Sequence, residues 1–259
     1  MKYLFNHTDQ IRKKIKGKNV FIFLDYDGTI TPLVKTPEEA RLSSEVKRLL
    51  LKIVQNPRFK LAVISGRALK DIKKKVGIKG ITYAGNHGLE IEGRNLRLKG
   101  LVRDRQKIIL RKFRKVLKEK LSLFKGVMVE DKGLSISIHY RLAERRKIPL
   151  IKKEIEKIFN CLNEKKEFDL KDGKMIKEIR PKVNWDKGKA VKWIIAKEGK
   201  GYFPIYIGDD ITDEDAFQIV KEIRGVTVYV GCHRKSFAEY FLYNSQEVKE
   251  FLKGILWQN

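Results

Sequence analysis

Five consecutive apolar residues, Val20-Phe21-Ile22-Phe23-Leu24, run directly into Asp25-Tyr26-Asp27-Gly28-Thr29, and no other stretch constrains the fold as tightly. An apolar run without alternation leaves no face for solvent. Such a strand belongs where both faces of its sheet are covered, the condition met in a parallel sheet flanked by helices. Carboxylates at its exit stand at the strand end where open parallel sheets bind ligands. Asp25 and Asp27 are two residues apart, so one further extended step sends both side chains to the same side. Gly28 permits the sharp turn that follows.

The pattern repeats downstream. Pro37-Glu38-Glu39 ahead of Leu42, Val46, Leu49, Leu50 and Ile53 predicts a helix with acids in its first turn, ending near Asn56-Pro57. Leu61-Ala62-Val63-Ile64 is a second apolar run, closed by Ser65-Gly66-Arg67, and a helix starts near Leu69. Ile81 to Ala84 is a third strand, closed by Gly85-Asn86-His87-Gly88. Strand and helix in alternation predict a doubly wound, Rossmann-like α/β core. Residues 10–18 read as a basic lead-in to it.

Near Leu101 the texture changes. A long amphipathic helix with Ile109, Phe113, Val116, Leu117 and Leu121 on one face is followed by Val127 to Glu130 and the strictly alternating Leu134 to Tyr140, joined at Asp131-Lys132-Gly133. A helix from Pro149 to Leu162 and a second hairpin turned at Asp172-Gly173 complete an α-β-β-α-β-β module with a half-exposed antiparallel sheet. The α/β pattern then resumes: a helix from Asp186, a strand Pro204 to Ile207 ending in Gly208-Asp209-Asp210, a helix Glu214 to Ile223, a last strand Val226 to Val230, and a closing helix Gln246 to Leu256. The expected organisation is therefore a core of residues 1–99 and 181–259 with a smaller α+β cap domain, residues 100–180, inserted in it. Boundaries read this way hold to a few residues.

Three strand ends carry polar clusters: Asp25-Tyr26-Asp27, Ser65-Gly66-Arg67 and Gly208-Asp209-Asp210. In a parallel sheet these converge on one edge. Taken singly each has a bland reading, a surface acid pair, a helix N-cap, or an acid-rich helix start; together at strand ends they point to one site. Clustered carboxylates are held ionised by a hard divalent cation, and an all-oxygen donor set with no His/Cys zinc spacing favours Mg²⁺. Phosphoryl transfer uses such a cation with a lysine to neutralise the phosphoryl oxygens, one carboxylate attacking and a second moving the proton. Asp25 and Asp27 suit those two tasks.

Asp25-Tyr26-Asp27-Gly28-Thr29, Ser65-Gly66-Arg67, Lys187 in Asp186-Lys187-Gly188, and Gly208-Asp209-Asp210-Ile211-Thr212-Asp213-Glu214-Asp215-Ala216-Phe217 resemble, in order, the four motifs of haloacid-dehalogenase-like phosphatases. Asn86-His87-Gly88, the stretch from Glu130-Asp131-Lys132-Gly133 to His139-Tyr140-Arg141, and the last motif in full narrow this to the trehalose-6-phosphate phosphatase family. The resemblance implies Mg²⁺-dependent hydrolysis of trehalose 6-phosphate to trehalose and phosphate, the last step of trehalose biosynthesis, through an aspartyl phosphate. It implies Asp25 as nucleophile, Asp27 as acid and base, and Ser65 and Lys187 as holders of the phosphoryl group. The metal falls to Asp25, the Asp27 carbonyl and Asp209, with Asp210 and Asp213 in or beside its outer shell. In the cap, Glu130, Lys132 and Glu178 match positions that grip sugar hydroxyls, with Arg67, Asn86, His87 and Arg141 nearby; for Glu178 and Arg141 a solvated strand face is an equal reading.

The net charge of +26 is the one extreme of composition. Between Gly100 and Arg180 there are 24 Lys and Arg against 12 Asp and Glu, so the insert is the more basic part per residue. Steering of a phosphorylated sugar is one reading, limited by screening over about 8 Å. The basic residues are not interleaved with exposed aromatics, so nucleic acid is not the expected partner. Open alternatives are a phosphatase for another sugar phosphate, of the sucrose, mannosyl or glucosyl kind, and a basic nucleic-acid-binding protein on the same core. No window is apolar enough for a signal peptide or a membrane span, so a cytoplasmic location is expected; the further expectation is a monomer whose partner is a small sugar phosphate. Cys161 and Cys232, far apart and without CxxC spacing, read as packing thiols.

Overall fold

The structure, a computed structural model, describes residues 1–173, 175–231 and 235–256. It divides into two compact units, residues 1–98 with the chain from 185 onward, and residues 99–184. In chain order the first unit begins with β1 (Lys2–Tyr3), α1 (Thr8–Ile15), β2 (Val20–Leu24), α2 (Ser44–Gln55), β3 (Phe59–Ile64), α3 (Leu69–Val76), β4 (Thr82–Gly85), β5 (Glu90–Glu92) and β6 (Arg97–Leu98). The second unit holds α4 (Asp104–Leu121), β7 (Met128–Asp131), β8 (Ile136–His139), α5 (Ile148–Leu162), β9 (Phe168–Gly173) and β10 (Ile176–Pro181). The chain returns with α6 (Lys187–Glu198), β11 (Phe203–Gly208), α7 (Glu214–Glu222), β12 (Val226–Val230), β13 (Tyr240–Leu242) and α8 (Ser245–Leu256).

Among the described residues the first unit forms one sheet in the order β1-β13-β12-β11-β2-β3-β4-β5-β6, parallel except at β5 and β6. All five residues of β2 are buried: Val20, Ile22 and Leu24 pack into one core cluster, Phe21 and Phe23 into the other. The first cluster is covered by α1, α2, α3 and α8, the second by α6 and α7. Burying a large apolar side chain contributes about 1.5–3 kcal/mol. That explains why the least polar strand lies in the middle. From β2 the chain moves to β3 and β4 on one side, while β11, β12 and β13 lie on the other. The strand order thus reverses between β2 and β11, the place where such sheets open a ligand crevice at their carboxyl ends.

Several local expectations shift. The helix expected from Pro37 begins at Ser44, because Ser43 accepts a hydrogen bond from Val46 N at 3.2 Å and caps it. Residues 10–18 belong largely to α1, whose Ile11 and Ile15, four apart, are buried on one face. Val230 does not end the last strand, since β13 pairs with β12 beyond it. Strands of two or three residues such as β1, β5, β6 and β13 are too short to show a period.

The second unit is a four-stranded antiparallel sheet in the order β7-β8-β10-β9. One face packs on α4 and α5 through Leu110, Phe113, Leu117, Ile136, Ile138, Ile155 and Ile179. The second hairpin turns later than expected, since Gly173 still pairs with Ile176. Lys177 points to the apolar face, where Glu156 at 3.0 Å and Asp172 at 3.1 Å hold its ammonium. Cys161 is an exposed free thiol rather than a packing one, and Cys232 lies outside the described residues. Among the described residues no helix is long and apolar enough to cross a membrane.

The approach of α6 to α7 is close enough to test. A Cβ added at Gly188, in the first turn of α6, would lie 2.4 Å from the backbone oxygen of Asp215. Gly188→Ala is expected to cost about 1–3 kcal/mol, seen as a lower urea midpoint at unchanged slope; an unchanged midpoint would show that the two helices separate freely.

Candidate active site

Burial in β2 carries Asp25 to the carboxyl end of the sheet as a buried acid. Asp186 caps α6 by accepting from Lys189 N at 2.7 Å, which places Lys187 at the first position of that helix. The Lys187 ammonium, 2% exposed, donates to Asp25 Oδ1 at 2.7 Å and to Asp213 Oδ1 at 2.8 Å. Asp213 is engaged on all sides. Tyr206, from the middle of β11, donates its hydroxyl to Oδ1 at 2.6 Å, and the backbone amides of Asp209 and Asp210 donate to Oδ2 at 3.1 and 3.0 Å. With four donors its carboxylate has no acceptor site to spare.

The electrostatics follow from this packing. Burial pushes the Asp25 carboxyl well up, Lys187 pulls it back, and the charges of Asp213 and Asp209 push it up again. Burial opposes the charge on Lys187, but Asp213 and Asp25 outweigh it and the ammonium is held above its ordinary range. The Tyr206 hydroxyl is raised by burial and by Asp213.

Carboxylate oxygens of Asp25, Asp209 and Asp213 all lie within 4.8 Å of one another. Three carboxylates against one lysine leave a local surplus of negative charge, and an all-oxygen set suits a hard divalent cation. Gly28 leaves room for Asp209: at φ +86° it takes the left-handed turn, and a Cβ there would lie 2.2 Å from Asp209 Oδ2. Asp27 contributes no carboxylate to this group. Arg67 grips it with Nε at 2.8 Å and Nη2 at 2.7 Å, while donating also to Asp71 at 2.9 Å and to the Pro37 carbonyl at 2.9 Å. Burial opposes the guanidinium charge, and Asp27 and then Asp71 more than restore it. Asp210 likewise stays outside the metal group, its backbone amide bound to Asp213.

Ser65, at the end of β3, is no helix N-cap; Ala68 occupies that position at α3. Its hydroxyl accepts from Arg67 N at 3.2 Å, and its carbonyl accepts from His87 N at 3.0 Å. Asn86 and His87 both have left-handed backbones, φ +50° and +57°. Consecutive non-glycine residues in that region store strain, which structures tolerate at functional sites. The Asn86 amide bound to the Arg67 carbonyl at 2.7 Å, and Trp185 Nε1 bound to the Gly88 carbonyl at 2.7 Å, hold the strained turn in place.

The first unit thus brings together Asp25, Asp209, Asp213 and Lys187, and beside them the linked group Asp27, Ser65, Arg67, Asn86 and His87. Glu130, Lys132 and Glu178 belong to the polar face of the second unit's sheet. There Glu178 Oε1 accepts from Lys132 Nζ at 3.2 Å and Ser135 at 3.1 Å, Oε2 accepts from Arg180 Nε at 2.7 Å, and Glu130 bonds His139 Nε2 at 2.8 Å. That network disfavours a merely solvated face for Glu178. Arg141 is exposed in the turn after β8. Tyr206 is the residue sequence reasoning missed; a tyrosine inside an otherwise apolar buried strand needs a partner for its hydroxyl, and that was the available signal.

A family model for trehalose-phosphatase matches residues 23–246. Trehalose-phosphate phosphatase B of Arabidopsis thaliana is 31% identical over 266 residues, covering 97% of this chain and 70% of that protein. Among solved structures, the trehalose-6-phosphate phosphatase C-terminal domain of C. albicans aligns with TM-score 0.79 at 26% identity over 96% of this chain and 95% of that one. A haloacid dehalogenase-like hydrolase from Bacteroides thetaiotaomicron shares the fold, with TM-score 0.63 at 16% identity over 92% and 100%.

Removing the lysine should expose what it balances. Lys187→Met, with chelator present, is expected to lose about 3–5 kcal/mol at neutral pH because buried carboxylates are left uncompensated. A carboxyl raised in the folded state, as Asp25 is, favours folding while protonated and costs stability as pH rises through its folded range. The deficit should therefore shrink as pH falls, read as urea midpoints across pH; a deficit independent of pH would reduce the lysine to packing.

Proposed function

The chain belongs to the trehalose-phosphatase family and is a phosphatase of haloacid-dehalogenase-like fold, and from that premise we propose that it hydrolyses trehalose 6-phosphate to trehalose and phosphate with Asp25 as nucleophile and Mg²⁺ as cofactor. The observation that carries this reading is the buried Asp25–Lys187–Asp213 array at the sheet's reversal point.

Asp25 and Asp209, with the Asp27 carbonyl, would hold the cation; it supplies charge neutralisation to the phosphoryl oxygens. Lys187, fixed between two carboxylates, keeps Asp25 oriented and places a positive charge where those oxygens gather. The Ser65 hydroxyl accepts from the Arg67 amide, so its own hydrogen is left to donate to a phosphoryl oxygen. Asp25 attacks phosphorus, the bond to the sugar oxygen breaks, and Asp27 gives that oxygen a proton. In the second half a water passes a proton to Asp27 and attacks the aspartyl phosphate, which releases phosphate and restores both acids. Arg67 sets the orientation of Asp27 throughout, and Asp27 must loosen one of its two N–H contacts to meet the leaving oxygen. Asp213, saturated by its donors, serves as the anchor behind Lys187, and Asp210 supports that anchor through its backbone.

The sugar is read by the other unit. Glu130, Lys132 and Glu178 share one sheet face, where Lys132 holds Glu178 and His139 bonds Glu130, an array of charged groups suited to recognising hydroxyls.

Phosphate release from a panel of sugar phosphates, with Mg²⁺ and with chelator, tests the reading. Trehalose 6-phosphate is expected to be preferred and chelator to abolish turnover; preference for a sucrose, mannosyl or glucosyl phosphate would replace the substrate and leave the chemistry. Asp25→Asn should lower kcat by more than about a thousandfold, and substantial residual turnover would sink the covalent route. Glu130→Ala should raise KM for the sugar phosphate and leave a small aryl phosphate unaffected, whereas equal losses on both would remove Glu130 from recognition.

A further inference from the structure

On the polar face of the second unit's sheet, Ser137 lies in the middle strand with Glu130 directly opposite on β7 and Glu178 directly opposite on β10. Directly paired residues of antiparallel strands project from the same face with Cβ atoms about 5 Å apart. Ile136 and Ile138 on either side point into the apolar core, which fixes the opposite direction for Ser137. Its hydroxyl is fully buried and, among the described residues, has no hydrogen-bond partner. Such a group is costly to leave unmet, and its retention calls for a cause.

The neighbouring carboxylates do not supply the partner, because each is held by others. Glu130 is taken by His139, two residues along the same strand face, and Glu178 by Lys132, Ser135 and Arg180. Ser137 is also the short side chain between Glu130 and Glu178, so its oxygen lies at the floor between them. Glu130 is a quarter exposed and can rotate about its side-chain bonds to admit a small polar group. A hydroxyl entering there meets the Ser137 hydroxyl below, which can donate and accept, and the displaced Glu130 carboxylate beside it, while Glu178, filled by its own donors, walls the other side; that combination fits a polyol.

We infer that Ser137 is a specificity-determining residue of the sugar subsite, its Oγ pairing with a hydroxyl of the bound sugar between Glu130 and Glu178. This rests on the reading of that sheet face as the sugar-recognition surface. A residue kept for ligand rather than for folding has a recognisable signature: its removal harms recognition while stability holds or improves.

The test is Ser137→Ala in the full chain, assayed on the sugar phosphate that the unaltered protein prefers and on 4-nitrophenyl phosphate, with thermal unfolding alongside. The sugar-over-aryl preference should fall about tenfold through KM, while the melting temperature stays level or rises by about 2–4 °C. Ser137→Thr, which keeps the hydroxyl and suits a strand, should retain the preference. An unchanged preference with a raised melting temperature would overturn the inference and assign the hydroxyl to water. Equal losses on both substrates with a lowered melting temperature would also overturn it, making the residue structural. If the unaltered protein prefers a sugar other than trehalose 6-phosphate, the substrate reading fails, and Ser137 is judged on that other sugar; absence of any sugar preference overturns both.

Discussion

One ammonium holds the carboxyl end of the first unit's sheet together. Lys187 joins Asp25 at the end of β2 to Asp213 at the start of α7, and Asp213 in turn binds Tyr206 of β11 and the amides that follow that strand. In the interior, attraction between such charges is strong and the penalty for losing one partner is severe. The array therefore sets how α6 and α7 meet β2 and β11. It is stable because it is nearly closed: every acceptor on Asp213 is used, and the Asp209 carboxylate lies close beside it. The same surplus of negative charge that makes the array awkward for folding gives it an oxygen donor set that could hold a hard divalent cation.

The two units present their polar groups in different ways. A parallel sheet buried on both faces has only its strand ends to offer, and the first unit puts its acids, Ser65 and the strained Asn86-His87 turn there. An antiparallel sheet buried on one face has a whole surface to offer, and the second unit fills it with interlocked polar side chains. The polar groups of the two units thus rest on different physics, strand-end convergence in one case and cross-strand pairing in the other. Part of the large positive charge has a simple place: Arg111, Lys112, Lys115, Lys118 and Lys120 are exposed on α4, opposite the residues that pack its core face.

Much of the site was legible because its motifs are local. Asp25 and Asp27 follow an unbroken apolar run, Ser65 and Asp209 do the same, and strand ends of one parallel sheet must meet. Less was legible where function depends on partners distant in sequence. Asp25 and Asp27, two residues apart, go to different partners, one to Lys187 and the other to Arg67, which periodicity alone does not reveal. Asp210 and Asp213 read alike as acids of one motif, yet one ends as a backbone support and the other as a saturated anchor. Both Lys177 and Glu178 are buried on opposite faces of β10, a pattern that alternation would not assign to two charged neighbours.

The amino-acid sequence by itself determined the class of fold, the insertion of one unit in the other, and the residue types gathered at the strand ends, since these follow from hydrophobic period and from motifs a few residues long. Only the tertiary structure decided which oxygen each donor takes, that Tyr206 joins the site, and that Ser137 sits without a partner between two carboxylates. The physical reason is range. Period and motif act over neighbours along the chain, whereas hydrogen bonds and buried charge are settled between strands and helices that only folding brings within reach.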